Sequence, residues 1–237
     1  MKLSTPIYQL KRQARQLSRK DNLPLHKALD RIAAAEGFPS WGLLAAKYSQ
    51  TSPATKLLAA LDPGDMVLLG ARPGHGKTLL GLELLLKAIG TGRSGFLFSL
   101  ECTPQEVATR LHDLGADLPH IHAHLQLDAS DTICAVHMIR ELTGAAPGAL
   151  VVVDYLQLLE QKRENPPLSE QISALRDFAK TTGMTFVFLS QIDRKFELSG
   201  RDFPQLHDIR LPNPLDLNLF DTLCFLNDGT AQLERVA

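Results

Sequence analysis

The chain has 237 residues, 44% of them apolar and 22% charged, with a formal net charge of -1. The apolar content is too high for a disordered chain. No run of roughly 18 apolar residues offers a membrane-spanning helix, and the N-terminus lacks the apolar stretch of a secretory signal. Near-neutrality is a balance of opposites. Residues 1–48 hold nine Lys or Arg against three Asp or Glu, and residues 49–237 hold sixteen against twenty-three. Lys2, Lys11, Arg12, Arg15, Arg19 and Lys20 crowd the first twenty residues, which contain no acid. Such asymmetry suggests two units, the basic one suited to nucleic acid or another acidic partner. The three cysteines, Cys102, Cys134 and Cys224, are isolated. They fit neither a disulfide framework nor a zinc ribbon, and are expected as small buried residues in a reducing cytoplasm.

In chain order, residues 5–20 read as a basic helix, with Ile7, Leu10, Ala14 and Leu17 at helical spacing. A second helix is expected from Pro24 to Glu36, stopped by Gly37. A third, short helix follows, with Ser40 as its cap. Residues 1–48 thus form a small helical module. Ser49-Gln50-Thr51-Ser52-Pro53 is polar and rich in breakers, so residues 49–54 read as a linker. The remaining residues, 55–237, change pattern. The short apolar runs Met66–Leu69, Gly95–Leu100, Ala149–Val153, Thr185–Leu189 and Leu223–Leu226 alternate with helical stretches. Nearly continuous apolar strands between helices imply an α/β fold, a mainly parallel sheet covered on both faces. Ligands of such sheets bind at the carboxyl ends of the strands.

The strongest signal follows the first strand: Ala71-Arg72-Pro73-Gly74-His75-Gly76-Lys77-Thr78. It fits the phosphate-loop pattern G-x-x-x-x-G-K-[ST] except that Ala71 takes the first glycine position. Gly74 and Gly76 let backbone N–H groups curl toward phosphate oxygens. The following helix presents its positive end. Lys77 supplies a charge to the outer phosphates, and Thr78 a hydroxyl to Mg²⁺. Arg72, Pro73 and His75 complete the nucleotide-binding segment. Val151-Val152-Val153-Asp154 reads as the second half of a Mg-nucleotide site, with Asp154 toward the metal. Tyr155 follows it, so the carboxylate that many ATPases carry there is missing. Glu101, after the strand Phe96–Leu100, is the candidate base. Its competing reading is a solvated charge at the start of the next helix. Gln191, ending another apolar strand, could sense the terminal phosphate. Arg194 and Lys195 beside it read either as DNA- or phosphate-facing or as solvated charges.

Together these residues resemble the motor domain of DnaB-type replicative helicases, within the RecA-like P-loop ATPases. The resemblance spans about residues 55–228. It rests on Gly70-Ala71-Arg72-Pro73 before Gly76-Lys77-Thr78, on Phe98-Ser99-Leu100-Glu101, on Val153-Asp154-Tyr155-Leu156-Gln157-Leu158, and on Leu189-Ser190-Gln191-Ile192-Asp193-Arg194. Asp208-Ile209-Arg210 resembles a further short motif in a loop near the central channel. The resemblance implies ATP and Mg²⁺ as ligands, Glu101 as catalytic carboxylate, Gln191 as sensor, single-stranded DNA as partner and assembly into a homo-oligomer. Two departures stand out. Pro212 and Pro214 preclude a regular helix after Arg210. The family's hairpin after its last shared strand carries an arginine that reaches a neighbour's ATP, whereas here Asp228–Ala237 follow and hold only Arg235. Slow hydrolysis, or a finger from another protein, is therefore expected, and a nucleotide-switched adaptor is the alternative to a motor.

Three features carry weaker signals. His120, His122 and His124 would share one face of a strand, either as a metal site or as a solvated edge. Trp41 reads as a module core residue. The basic first helix either contacts DNA phosphates, or is solvated, or docks on the acidic body of the same or a neighbouring chain. Lys162 and Arg163, with Arg194, Lys195 and Arg210, are the DNA candidates of the larger unit, on loops leaving the carboxyl rim.

Overall fold

The computed structural model describes residues 3–160, 162, 164–210, 213 and 215–236. Arg163, Leu211, Pro212 and Pro214 lie outside the described residues. Three helices open the chain: α1 (Ile7–Lys20), α2 (Leu25–Ala35) and α3 (Trp41–Thr51). Apolar residues of α1 fall on one stripe, and Ile7, Ala33 and Leu44 meet in a small core, with Trp41 and Tyr48 packed on it. Gly37, at φ +83°, turns the chain out of α2. The Ser40 hydroxyl accepts from the Leu43 N–H and caps α3.

The segment read as a linker is instead a helix–helix corner. α3 runs on to Thr51, and α4 (Pro53–Ala59) starts two residues later. Ser52 is buried and its hydroxyl accepts from the Thr55 N–H, while Pro53 takes the first helical turn, where no N–H is needed. The polar residues that looked like a tether are capping residues.

Seven strands follow: β1 (Met66–Ala71), β2 (Gly95–Ser99), β3 (Leu125–Asp128), β4 (Leu150–Asp154), β5 (Thr185–Gln191), β6 (Thr222–Asn227) and β7 (Thr230–Arg235). Their order in the sheet is β3-β2-β4-β5-β1-β6-β7, parallel throughout except for the β6–β7 hairpin. The connecting helices are α5 (Lys77–Gly90), α6 (Pro104–Leu114), α7 (Leu118–His122), α8 (Ala135–Leu142) and α9 (Leu168–Thr182). Alternate residues of each central strand serve opposite faces. Met66, Leu68, Val151, Val153, Phe186 and Phe188 pack toward α8 and α9. Val67, Leu69, Val152, Val187 and Leu189 pack toward α4, α5 and α6. Gly81 lets α5 lie close on the sheet, since a Cβ there would sit 3.1 Å from Val152 Cγ1. The parallel α/β architecture expected from the apolar runs is thus present, with helices on both faces.

Two elements differ from expectation. His120 and His122 lie in α7 and His124 just beyond it, so the three imidazoles do not line one face of a strand. Among the described residues no cluster of three or more His, Cys, Asp or Glu side chains could hold a metal ion. Cys102 and Cys224 are buried as expected, Cys134 partly so, and all three are free thiols. Among the described residues no helix is long and apolar enough to cross a membrane.

Asp221 ties the amino ends of β1 and β6 to α9. Its carboxylate accepts from the Met66 N–H at 2.8 Å, from Arg176 at 3.0 Å and from Lys180 at 3.2 Å. Burial acts to raise its pKa, but the Met66 N–H and the Lys180 and Arg176 charges outweigh it and hold the carboxyl below its usual value. Its stabilisation is therefore present above the unfolded carboxylate pKa and is lost as pH falls through the lowered folded value. Asp221→Ala should cost about 2 kcal/mol in urea unfolding at neutral pH. The gap to the parent chain should narrow in acid, and a gap independent of pH would assign the loss to packing.

Candidate active site

The carboxyl ends of β2, β4, β5 and β1, four adjacent strands, carry Glu101, Asp154, Gln191 and the phosphate loop respectively. The loop leaves β1 at Ala71, which is fully buried and paired with Gln191 and Leu226. This explains the alanine in the first glycine position: the residue still belongs to the strand, where no positive φ is needed. Gly74 and Gly76 have φ of +79° and +87°, values that strain any residue with a Cβ.

The helix that follows is built open-ended. α5 is capped by Gly76 with no side-chain hydrogen bond and has no acid in its first turn. The first-turn N–H groups and the positive end of the helix dipole therefore face the pocket. α6 shows the alternative. Thr103 and Glu106 form a reciprocal capping box that satisfies its amino end internally. The unsatisfied helix end is the one that an anion would complete.

Lys77, Thr78 and two carboxylates form the centre. Lys77 Nζ donates to Glu101 Oε2 at 2.7 Å and to Asp154 Oδ1 at 3.0 Å. The Thr78 hydroxyl donates to Asp154 Oδ2 at 2.7 Å. Asp154 is 0% exposed and Lys77 6%. Burial acts to lower the Lys77 pKa, but Asp154 and Glu101 outweigh it and hold the ammonium above its usual value. The Tyr155 ring lies 5.2 Å from Nζ. A buried carboxylate with a neighbouring hydroxyl, at present neutralised by an ammonium, is a donor set of hard oxygens. It fits Mg²⁺, which is commonly held by one or two carboxylates and substrate phosphates.

Other predicted positions divide. Pro73, Gly74, Gly76, Lys77, Thr78, Glu101 and Gln191 line one cavity of about 550 Å³. Arg72 turns away to Glu197 at 3.1 Å, and His75 faces Asp228 at 3.4 Å across the β6–β7 turn. Gln191 is also wired to the later motif. Its carbonyl accepts from the Arg210 N–H at 2.8 Å, and the Asp193 N–H donates to the Asp208 carbonyl at 2.7 Å. Asp208 is in turn clamped by Arg201, both oxygens accepting at 2.8 Å. Arg194, Lys195 and Arg210 are exposed, and Lys162 lies 3.6 Å from Asp131.

Arg235 occupies the hairpin, but at the far end of the sheet. It pairs across from Thr222 and binds Asp65 at 2.6 Å and also Asp62. Thr222 is in register with Val67, so Arg235 sits at the amino edge, about 15 Å of strand from the loop.

The cavity has a second wall that the motifs do not announce. Tyr8, Lys11, Arg12 and Arg15 of α1 line it, with Arg110 and Asp113 of α6. Their spacing along α1 places them on one helix face, a signal legible in the sequence. Where that face docks is not a local property.

Fold and site together define a RecA-like fold that carries a phosphate loop. Within that class the chain resembles the DnaB-type replicative helicases. The family described as DnaB-like helicase C terminal domain matches residues 122–217, a stretch that includes Asp154 and Gln191. The replicative DNA helicase DnaB of Leifsonia xyli is 28% identical over 186 residues, 65% of this chain and 41% of that protein. DnaB of Rhodothermus marinus is 28% identical over 251 residues, 91% of this chain and 26% of that protein. The chain thus spans less than half the length of these relatives. Among solved structures, an ATPase domain superposes with a TM-score of 0.57 at 21% identity, covering 77% of this chain and 81% of that one. A DnaB-like replicative helicase studied with primase gives 0.60 at 18% identity, covering 97% and 74%.

Proposed function

We propose that the chain binds and hydrolyses Mg-ATP and couples this to single-stranded DNA, as a DnaB-like helicase-related ATPase. The observation that carries the reading is Lys77 Nζ held between Glu101 and Asp154 beneath an open helix end. In this reading the phosphates draw the ammonium off both carboxylates. Glu101 is then free to orient and deprotonate the attacking water. Asp154 and Thr78 would hold Mg²⁺, which supplies charge neutralisation on the phosphates. Gln191 reports the terminal phosphate to residues 208–210 through its backbone bond to Arg210. Arg194, Lys195, Arg210 and Lys162 are the proposed DNA contacts. We take residues 1–48 and 55–237 as two units, a cytoplasmic setting, and self-association on DNA as parts of the same reading.

Arg235 favours a second reading. Bound to Asp62 and Asp65 of its own chain, it is not free to reach a neighbour's nucleotide. A nucleotide-switched adaptor with little turnover would need no such arginine. Steady-state ATP hydrolysis with and without single-stranded DNA separates the two. Stimulation of about tenfold or more by DNA is expected for the motor. Tight ATP binding with negligible turnover under both conditions would establish the switch.

A further inference from the structure

The cavity over the phosphate loop is closed on one side by α1, and that wall is cationic. Tyr8, Lys11, Arg12 and Arg15 occupy positions i, i+3, i+4 and i+7 and so share a face. The stripe beside it, with Ile7, Leu10 and Ala14, is buried and holds the helix in place. Arg110 of α6 faces the same space. Lys11 Nζ donates to the Asp113 carbonyl at 3.0 Å, and Arg15 binds the Asp113 carboxylate at 2.7 Å. Burial and the neighbouring Arg15 press the Lys11 pKa below its usual value, against the pull of Asp113 and Glu83. Within the cavity Lys77 is matched by Glu101 and Asp154. The other four cations have Asp113 as the acid that lines the cavity with them. Among the described residues, Arg12 and Arg110 form no ion pair, and Arg12 is exposed where it lines the cavity.

We propose that the basic face of α1 completes the nucleotide pocket within the same chain. Arg12, with Arg110 beside it, binds the polyphosphate of the nucleotide seated on the phosphate loop. Bound nucleotide then fastens residues 1–48 to the ATPase core. The chain supplies its own second set of phosphate cations, from the helical module that precedes the phosphate loop. This rests on the reading of the cavity as an ATP site. It assigns the excess positive charge of residues 1–48 to the nucleotide rather than to nucleic acid.

The test uses the full chain and fluorescent Mg-ATP titration of four proteins: wild type, Arg12→Glu, Arg12→Lys and Lys77→Ala. Arg12 is exposed, so its replacement leaves the packed core intact. Arg12→Glu is expected to weaken binding about tenfold or more, and Arg12→Lys to recover most of it, as for a charge-assisted contact. Hydrogen exchange gives the second readout: ATP should protect the amides of α1 in the wild type and not in Arg12→Glu. If Arg12→Glu binds ATP as the wild type does while Lys77→Ala does not, the α1 contact is wrong and the ATP site stands. The contact is equally wrong if Arg12→Glu weakens only the binding of single-stranded DNA. If the wild type itself fails to bind Mg-ATP, the ATP reading falls and this inference with it.

Discussion

Glu101→Gln is expected to bind Mg-ATP with near wild-type affinity and to lose turnover by about 10²–10³-fold, the contribution of a positioned general base. The geometry makes this a clean substitution. Glu101 is partly exposed at the rim, and its Oε2 accepts from Lys77 at 2.7 Å. A glutamine amide oxygen can accept the same bond, so the resting arrangement of Lys77 survives. What is lost is the capacity to take a proton from water. Single-turnover hydrolysis beside equilibrium binding gives the answer. Normal turnover in this variant would remove Glu101 from the mechanism, leaving its role as a charge beside α6.

Lys77→Ala has the opposite signature and a larger reach. Nucleotide affinity should fall by about 30-fold or more, the value of a charge-assisted contact to phosphate. The free protein should also be destabilised by about 3 kcal/mol, because Asp154 is fully buried and loses its counter-ion. The Thr78 hydroxyl is left as its partner. Binding and unfolding curves measured on one preparation separate the two effects. A variant that binds ATP normally would refute the phosphate-loop assignment.

Much of the site was legible because its parts are local. A loop with glycines at 74 and 76 and Lys-Thr after them needs no tertiary knowledge. Glu101, Asp154 and Gln191 each end an apolar strand, and parallel strands bring their carboxyl ends to one edge. The strand order that makes those four ends neighbours is nonlocal, and so is the bond network around Asp208. Two strands escaped for a physical reason. β3 and β7 lie at the sheet edges, where no residue of either strand is fully buried and the apolar run disappears. The histidine triplet misled because alternation over five residues fits a short helix as well as a strand. The polar segment 49–54 misled because Ser and Pro cap helices as readily as they fill linkers.

The corner at Ser52 bears on how the molecule can move. α5 begins at the phosphate loop, and its later turns meet the helical module: Lys87 Nζ donates to the Ser49 carbonyl at 3.2 Å, and Glu83 lines the same hollow as Tyr48. With no slack chain between α3 and α4, these contacts join α5 to the module directly. The helix that begins at the phosphate loop is thus also the helix against which the last turns of the module rest.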